Sequence, residues 1–464
     1  LKIKIVKRCY SIINQSKDMG KTEQNKTENS NKKKVKFQTI RGMRDILPID
    51  QPYWDKIRKA VDKIAFDYNY GRIDMPMVEP VSLFERTTGK DTDIVEKEMY
   101  KFETQGKEKV SLRPEGTPSV VRAYVEHGMK TKPSPVKLFY IGPMFRYDRP
   151  QKGRYRQFFQ FGFEAIGEQD PILDAQIIQT ALRIFNAIGI NKIDLQVNSI
   201  GCNECRPNYN KLLVSYLKNR KQSLCMNCRN RLKTNPLRVL DCKEEKCTQV
   251  IAQAPQSVDH LCPDCKKHFT YLLECLDELK IIYSINPHLV RGLDYYTKTV
   301  FELWSQDDKE GRASLGGGGR YDYLIEKLGG RKTPAVGFAA GMDRLVEVMK
   351  DRGIKGTKIS KPKVFLAQLG DLAKMKSLSI FQGLEKAGIT VAESFGRGNL
   401  KAQLKKADQL GVDLVLIMGQ RESLDETVII KDMIGGNQEV VILDKVVVEV
   451  KKKLDKIKKE VRIK

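Results

Sequence analysis

The chain has 464 residues, of which 41% are hydrophobic and 30% charged, and 83 Lys and Arg against 58 Asp and Glu leave a net charge of +25. At about 150 residues per domain this length predicts two to four domains with sizeable cores. No run approaches the roughly 18 apolar residues of a membrane-spanning helix, which excludes an integral membrane protein of that kind. The basic excess favours a polyanion partner, and nucleic acid is the commonest polyanion.

Part of the charge sits at the ends. Residues 1–36 carry eleven basic and three acidic side chains, and residues 451–464 carry eight and two. Both stretches read as solvated basic tails. Residues 1–17 lack acids, a composition shared by organelle transit peptides. A start at Met19 accounts for it equally well.

A helix is predicted over 52–68, where Trp54, Ile57, Val61, Ile64, Ala65 and Tyr68 recur at helical spacing and Gly71 supplies a stop. Strands and hairpins dominate to about 170, followed by a helix over 172–188 and a strand ending at Asn198. Residues 202–275 hold nine of the ten cysteines and read as helices between polar loops. Strand-like sequence resumes at Ile281 and runs to Leu303. The glycines from Gly316 to Gly319 precede a strand–helix pair over 334–349. Residues 350–362 form a Lys/Gly/Ser linker. Beyond it, apolar runs at 364–369, 413–418, 427–431 and 440–443 alternate with helices near 374–387 and 399–410, an α/β pattern.

The stretch 137–167, KLFYIGPMFRYDRPQKGRYRQFFQFGFEAIG, is a long antiparallel hairpin with a basic loop. Strand alternation puts Gln160, Gly162 and Glu164 on one face and Phe159, Phe161 and Phe163 on the other. Arg146 can point to the polar face. Arg149, Lys152, Arg154 and Arg156 crowd the loop in the manner of a phosphate clamp, for which the planar guanidinium is suited. A polar face that merely meets water is the alternative.

This hairpin resembles motif 2 of the class II aminoacyl-tRNA synthetases. Val78, Glu79 and Pro80 resemble motif 1, the dimer-forming segment, and PAVGFAAGMDRL at 334–345 resembles motif 3. LVRGLDYYTKTVFEL at 289–303, SLGGGGRYDYLI at 314–325, RGMRDILP at 41–48 and LRPEGTPS at 112–119 are similar to blocks of the histidyl-tRNA synthetase family. The resemblance covers residues 40 to about 450.

It implies a mixed α/β fold (an α+β core) with distinct parts. A class II core of six or seven antiparallel strands spans 37–201 and 280–349. A helical insertion at 202–279, matched by NPLRVLDCK at 235–243, closes over the tRNA acceptor stem. An α/β anticodon-binding domain spans 363–450. It also implies a cytoplasmic homodimer that joins histidine to its tRNA at the expense of ATP, the nucleotide carrying Mg²⁺. The alternative within the family is a regulatory paralogue that does not charge tRNA.

The resemblance further implies roles. Arg146 bridges the amino-acid carboxylate and the α-phosphate. Arg154 meets the outer phosphates, Arg344 lies beneath ATP, and Arg291 stands beside the α-phosphate as a charge stabiliser. Glu115, Thr117 and Gln160 ligate the α-ammonium group, and Gly116 belongs to the same histidine-binding set. Glu164 accepts the imidazole N–H, with Tyr296 as its hydroxyl partner and Tyr295 alongside. A ring with one donor and one acceptor can be selected by a pocket that satisfies both. The glycine run lacks the GK[ST] ending of a nucleotide P-loop and is better suited to the floor of such a pocket.

Cys202, Cys205, Cys225, Cys228, Cys242, Cys247, Cys262 and Cys265 form three CxxC pairs and one Cx4C pair. The spacing suits tetrahedral thiolate zinc, in up to two four-cysteine sites of undetermined pairing. Disulfides and unliganded thiols are the rivals, and His260 or His268 could replace a cysteine. Zinc is not a general feature of the family.

Overall fold

The computed structural model describes residues 37–90, 92–306, 314–358, 361–396 and 399–463, without the side chains beyond 458. The expected N-terminal tail and its start lie outside the described residues. Among the described residues no helix is long and apolar enough to cross a membrane.

Residues 71–341 are built on an eight-stranded sheet. Its six central strands run antiparallel in the order Val136–Phe145, Gln157–Ile166, Ala335–Gly341, Ser314–Arg320, Thr297–Ser305 and Ile193–Ser199. Two-residue parallel strands, Gly71–Arg72 and Ser284–Ile285, close the edges. The expected six or seven strands thus become eight, because segments this short carry no alternation to read. The strand expected from Ile281 to Leu303 is likewise two strands around the loop 286–296.

Period-two alternation splits this sheet into a core face and an open face. On the core face Phe139, Phe163 and Phe338 stand in adjacent registers with stacked rings 5.6 and 5.3 Å apart. Helices Gln51–Asp67 and Ile172–Ile188 cover them with Trp54, Ile57, Val61, Ile178, Phe185 and their neighbours. The first of these helices stops before Gly71: Asn69 takes the left-handed turn at φ 58°, and Gly71 opens the edge strand. On the open face the row Tyr140, Gly162, Ala339, Gly317 and Glu302 crosses five strands and floors a cleft.

The insertion contains helices Arg206–Lys218, Met226–Thr234 and Glu245–Ala252 around their own small core. Helix Pro263–Glu278, expected as its last element, belongs instead to the main core. Phe269, Leu272 and Leu276 join the cluster under helix Ile172–Ile188, and His268 Nε2 lies 2.8 Å from the buried Asp174 carboxylate.

The C-terminal sheet places Val391–Glu393, Val364–Gln368 and Leu414–Met418 in parallel, followed by antiparallel Thr427–Asp432 and Gln438–Ile442. Its central strands are continuous apolar runs because both faces are covered. Val364 and Leu366 face one core, and Phe365 and Ala367 the other. Residues 451–463 do not form a tail. They continue helix Val446–Ile463, which buries Val446, Val450 and Leu454 against this sheet.

Candidate active site

A cleft of about 580 Å³ opens over the polar face of the large sheet. Glu115, Gly116, Thr117, Arg146, Arg154, Gln160, Arg291, Tyr295, Tyr296 and Arg344 all line it. They come from four segments far apart in sequence, brought together by the antiparallel registers described above.

The Arg-Pro-Glu-Gly-Thr turn is held by Arg113, which was not singled out in the sequence. Its guanidinium donates to the carbonyls of Met75 at 2.6 Å and Pro143 at 2.9 Å. Arg146 Nε donates to the Pro114 carbonyl at 2.8 Å, which ties the hairpin to the same turn. Glu115 then points inward and accepts from Thr88 Oγ1 at 2.5 Å and Tyr295 Oη at 2.8 Å. Burial pushes its carboxyl above the usual carboxylate range, against the opposing pull of those donors and of Arg146.

Glu164 is fully buried and does not itself line the cleft. It sits one layer behind, where Thr117 Oγ1 donates to one oxygen at 2.7 Å and Tyr321 Oη to the other at 2.5 Å. Thr117 and Tyr321 are the groups that reach the cavity. Burial raises the Glu164 carboxyl to about 8. Direct access to a ligand ring is therefore not open in this state. Gly337, its register partner, has no side chain because a Cβ there would overlap the carboxylate.

Tyr140 is a site residue that the sequence did not expose. Its ring lies over both Gly116 and Gly162, where a Cβ at either would collide with it. Its hydroxyl is buried and has no hydrogen-bond partner among the described residues, and the same holds for Gln160 Oε1 and Arg291 Nε. Unpaired buried polar atoms are costly, and three of them facing one cleft mark where a polar ligand would complete the site. A tyrosine within an apolar strand gives no signal of this kind.

Arg291 is half-buried against Glu302, which its Nη1 contacts, and packs over Gly317. Gly316 and Gly317 line the cleft, whereas Gly318 and Gly319 pack between strands. Tyr295 and Tyr296 pack with their rings tilted by 44° and centroids 4.7 Å apart. Arg344 starts helix Met342–Asp351 and reaches the Ser314 carbonyl. Asp343 beside it fixes that helix to the hairpin through Phe159 N at 2.8 Å and to Arg44 at 2.9 Å.

Only one of the four loop cations fits the expected clamp. Arg154 lines the cleft, 46% exposed and paired with Asp148 at 3.1 Å. Lys152 pairs with Asp351, Arg156 stacks 3.7 Å above the Tyr147 ring, and Arg149 is exposed outside the cleft. Charge density along a loop does not reveal which side chains turn inward.

The cysteines converge in two groups, Cys202, Cys205, Cys262 and Cys265, and Cys225, Cys228, Cys242 and Cys247. Within each, all four sulfurs lie within 4.8 Å of one another. His268 is committed to Asp174, and His260 stacks on Tyr209, so neither replaces a cysteine.

Residues 42–345 match the family model described as histidyl-tRNA synthetase, and residues 363–453 match that of the anticodon binding domain. The histidine–tRNA ligase of Dehalococcoides mccartyi is 48% identical over 419 residues, which are 90% of this chain and 100% of that protein. That of Acetivibrio thermocellus is 44% identical over 414 residues, 89% and 99% of the two chains. The crystal structure of apo S. aureus histidyl-tRNA synthetase superposes with a TM-score of 0.74 at 35% identity, covering 90% of this chain and 100% of that one. The chain belongs to the histidyl-tRNA synthetase family.

Proposed function

We propose that the protein is a histidine–tRNA ligase. It activates histidine with ATP to histidyl-adenylate and transfers the histidyl group to the terminal ribose of its tRNA. One observation carries this reading: a single cleft joins a carboxylate-floored pocket at Glu115 to a wall of guanidinium groups from Arg146, Arg291 and Arg344. Such a cleft suits an ammonium group at one end and phosphates at the other.

In the first step a histidine carboxylate oxygen attacks the α-phosphorus and pyrophosphate leaves. Both reactants are anionic, so the site must hold them in line and offset their charge. Arg146 and Arg291, which both line the cleft, would do this. Arg291 already carries Glu302 on Nη1 and lines the cleft with its guanidinium group. Mg²⁺ accompanies ATP and supplies counter-charge to its phosphates. Glu115 and the free Gln160 oxygen accept from the α-ammonium group. Glu164 acts on the imidazole through Thr117, Tyr321 and a rearrangement that opens it, with Tyr296 opposite.

The domain at 363–453 would read unstacked anticodon bases. The regulatory-paralogue reading is not favoured, since this domain and the cleft residues are all present. A homodimer through the segment around Val78–Pro80 and a cytoplasmic setting complete the proposal, as does Zn²⁺ held by the insertion's cysteines. Charging of bulk tRNA with each labelled amino acid tests the reading. Histidine alone is expected to become acid-precipitable, and no charging by a folded protein contradicts it.

A further inference from the structure

The two cysteine groups have the geometry of metal sites. A tetrahedral ion with bonds of about 2.3 Å places its sulfurs about 3.8 Å apart. Cys202 Sγ lies 3.8 Å from both Cys205 Sγ and Cys262 Sγ, and Cys225 Sγ lies 3.9 Å from Cys242 Sγ. These separations are far beyond a disulfide bond and enclose room for one ion. Backbone N–H groups donate to the sulfurs, as thiolates require. Cys202 N reaches Cys205 Sγ at 3.3 Å and Glu204 N reaches Cys202 Sγ at 3.4 Å. In the other group Cys225 N reaches Cys247 Sγ at 3.2 Å and Cys228 N reaches Cys225 Sγ at 3.4 Å. Four soft thiolates at tetrahedral spacing suit zinc, whose closed structural sites are commonly of this kind.

The groups are nested. The outer one joins the two places where the chain leaves and rejoins the core, and the inner one lies within the insertion. Each is wired to the same active-site loop, Arg291 to Tyr296. Beside the outer group, Arg206 directly follows Cys205 and donates to the Tyr296 carbonyl at 2.6 Å and the Gly201 carbonyl at 3.1 Å. Ile200 and Gly201 also exchange backbone hydrogen bonds with Lys298. Beside the inner group, Arg238 donates to the Gly292 carbonyl at 2.6 Å and Asn235 to Asp294 at 2.7 Å. Arg231 and Arg238 both hold Asp93 at the cleft, at 2.6 and 2.9 Å.

We propose that the chain binds two Zn²⁺ ions, one by Cys202, Cys205, Cys262 and Cys265 and one by Cys225, Cys228, Cys242 and Cys247, and that they position the Arg291–Tyr296 loop through Arg206 and Arg238. Arg206 and Arg238 are positioning residues, and the ions take no part in bond making. The kinetic consequence rests on the histidine-activation reading, whereas the metal assignment does not.

The test begins with metal analysis of the purified full chain. Two zinc per chain are expected, with one lost in Cys265→Ser and a different one lost in Cys247→Ser. Co²⁺ put in place of zinc should give the absorption of tetrahedral thiolate coordination in the unmutated chain, even if the cysteine variants do not fold. Arg206→Ala should keep both metals, leave the KM for ATP unchanged and raise the KM for histidine roughly tenfold. Arg206→Lys should recover part of that loss. Fewer than two metals in the wild-type chain overturns the proposal, and an unchanged histidine KM in Arg206→Ala overturns its positioning part. Two zincs in a chain that activates no amino acid contradict the ligase reading and still support the metal assignment.

Discussion

Gly337 faces Glu164 across neighbouring antiparallel strands, and a methyl group at 337 would occupy the space of the Glu164 carboxylate. The same methyl would press on the Phe163 carbonyl, which as backbone cannot swing away. Gly337→Ala should therefore cost roughly 1–3 kcal/mol in stability by overpacking. It should also weaken histidine binding, because the carboxylate must shift away from Thr117 and Tyr321. Thermal unfolding and the KM for histidine measure the two effects, and a variant unchanged in both would contradict the packing described.

The Glu164 carboxyl also makes a prediction about pH. Its ordinary value is 4.5, and burial raises it to about 8 in the folded chain. The folded state therefore holds this proton more tightly than the unfolded state. The contribution to stability is complete below pH 4.5 and is lost as pH rises through 8. Glu164→Gln cannot titrate and should escape that loss, which is on the order of a few kcal/mol. Denaturant unfolding of both proteins at pH 5 and pH 8.5 measures it. A difference between them that does not change with pH would show that the carboxyl is ionised throughout.

Tyr140 separates binding from stability. Its hydroxyl is buried without a partner among the described residues. Removing such a group relieves a desolvation penalty of about 1–3 kcal/mol. Tyr140→Phe should be at least as stable as the parent while its KM for histidine or ATP rises. Loss of stability with unchanged KM values would assign the hydroxyl to the fold alone.

The arginines should fall in a graded order. Arg291→Ala removes a half-buried donor and leaves Glu302 without its partner, and its kcat for activation should fall roughly 10²–10³-fold. Arg146→Ala should behave similarly. Arg154→Ala, half exposed and paired with Asp148, should act mainly on the KM for ATP. Arg149→Ala in the same loop should change neither constant. Steady-state exchange kinetics rank all four, and equal losses at Arg149 and Arg154 would contradict the inward assignment.

Much of the site was legible because it lies on long regular strands. Gln160 and Arg146 could be placed on one face from alternation and hairpin register, and the structure puts them in one cleft. Depth was not legible: alternation gives a face but not a layer, so Glu164 looked like a surface of the pocket when it lies beneath Thr117 and Tyr321. Tyr140 was hidden because its significance depends on Gly116 and Gly162, one of them distant in sequence. The cysteine spacing showed four pairs, but which pairs meet depends on helix Pro263–Glu278 folding back onto the core. Tyr296 and Arg206 meet because strands Ile193–Ser199 and Thr297–Ser305 pair antiparallel, a long-range register that local pattern does not encode.

The most direct measurement is ATP–pyrophosphate exchange by the purified chain with each of the twenty amino acids in turn. The arrangement of Glu115 and Gln160 beside Arg146 and Arg291, with Glu164 behind Thr117 and Tyr321, predicts exchange with histidine alone. Exchange with another amino acid, or none in a folded chain that binds ATP, would contradict it.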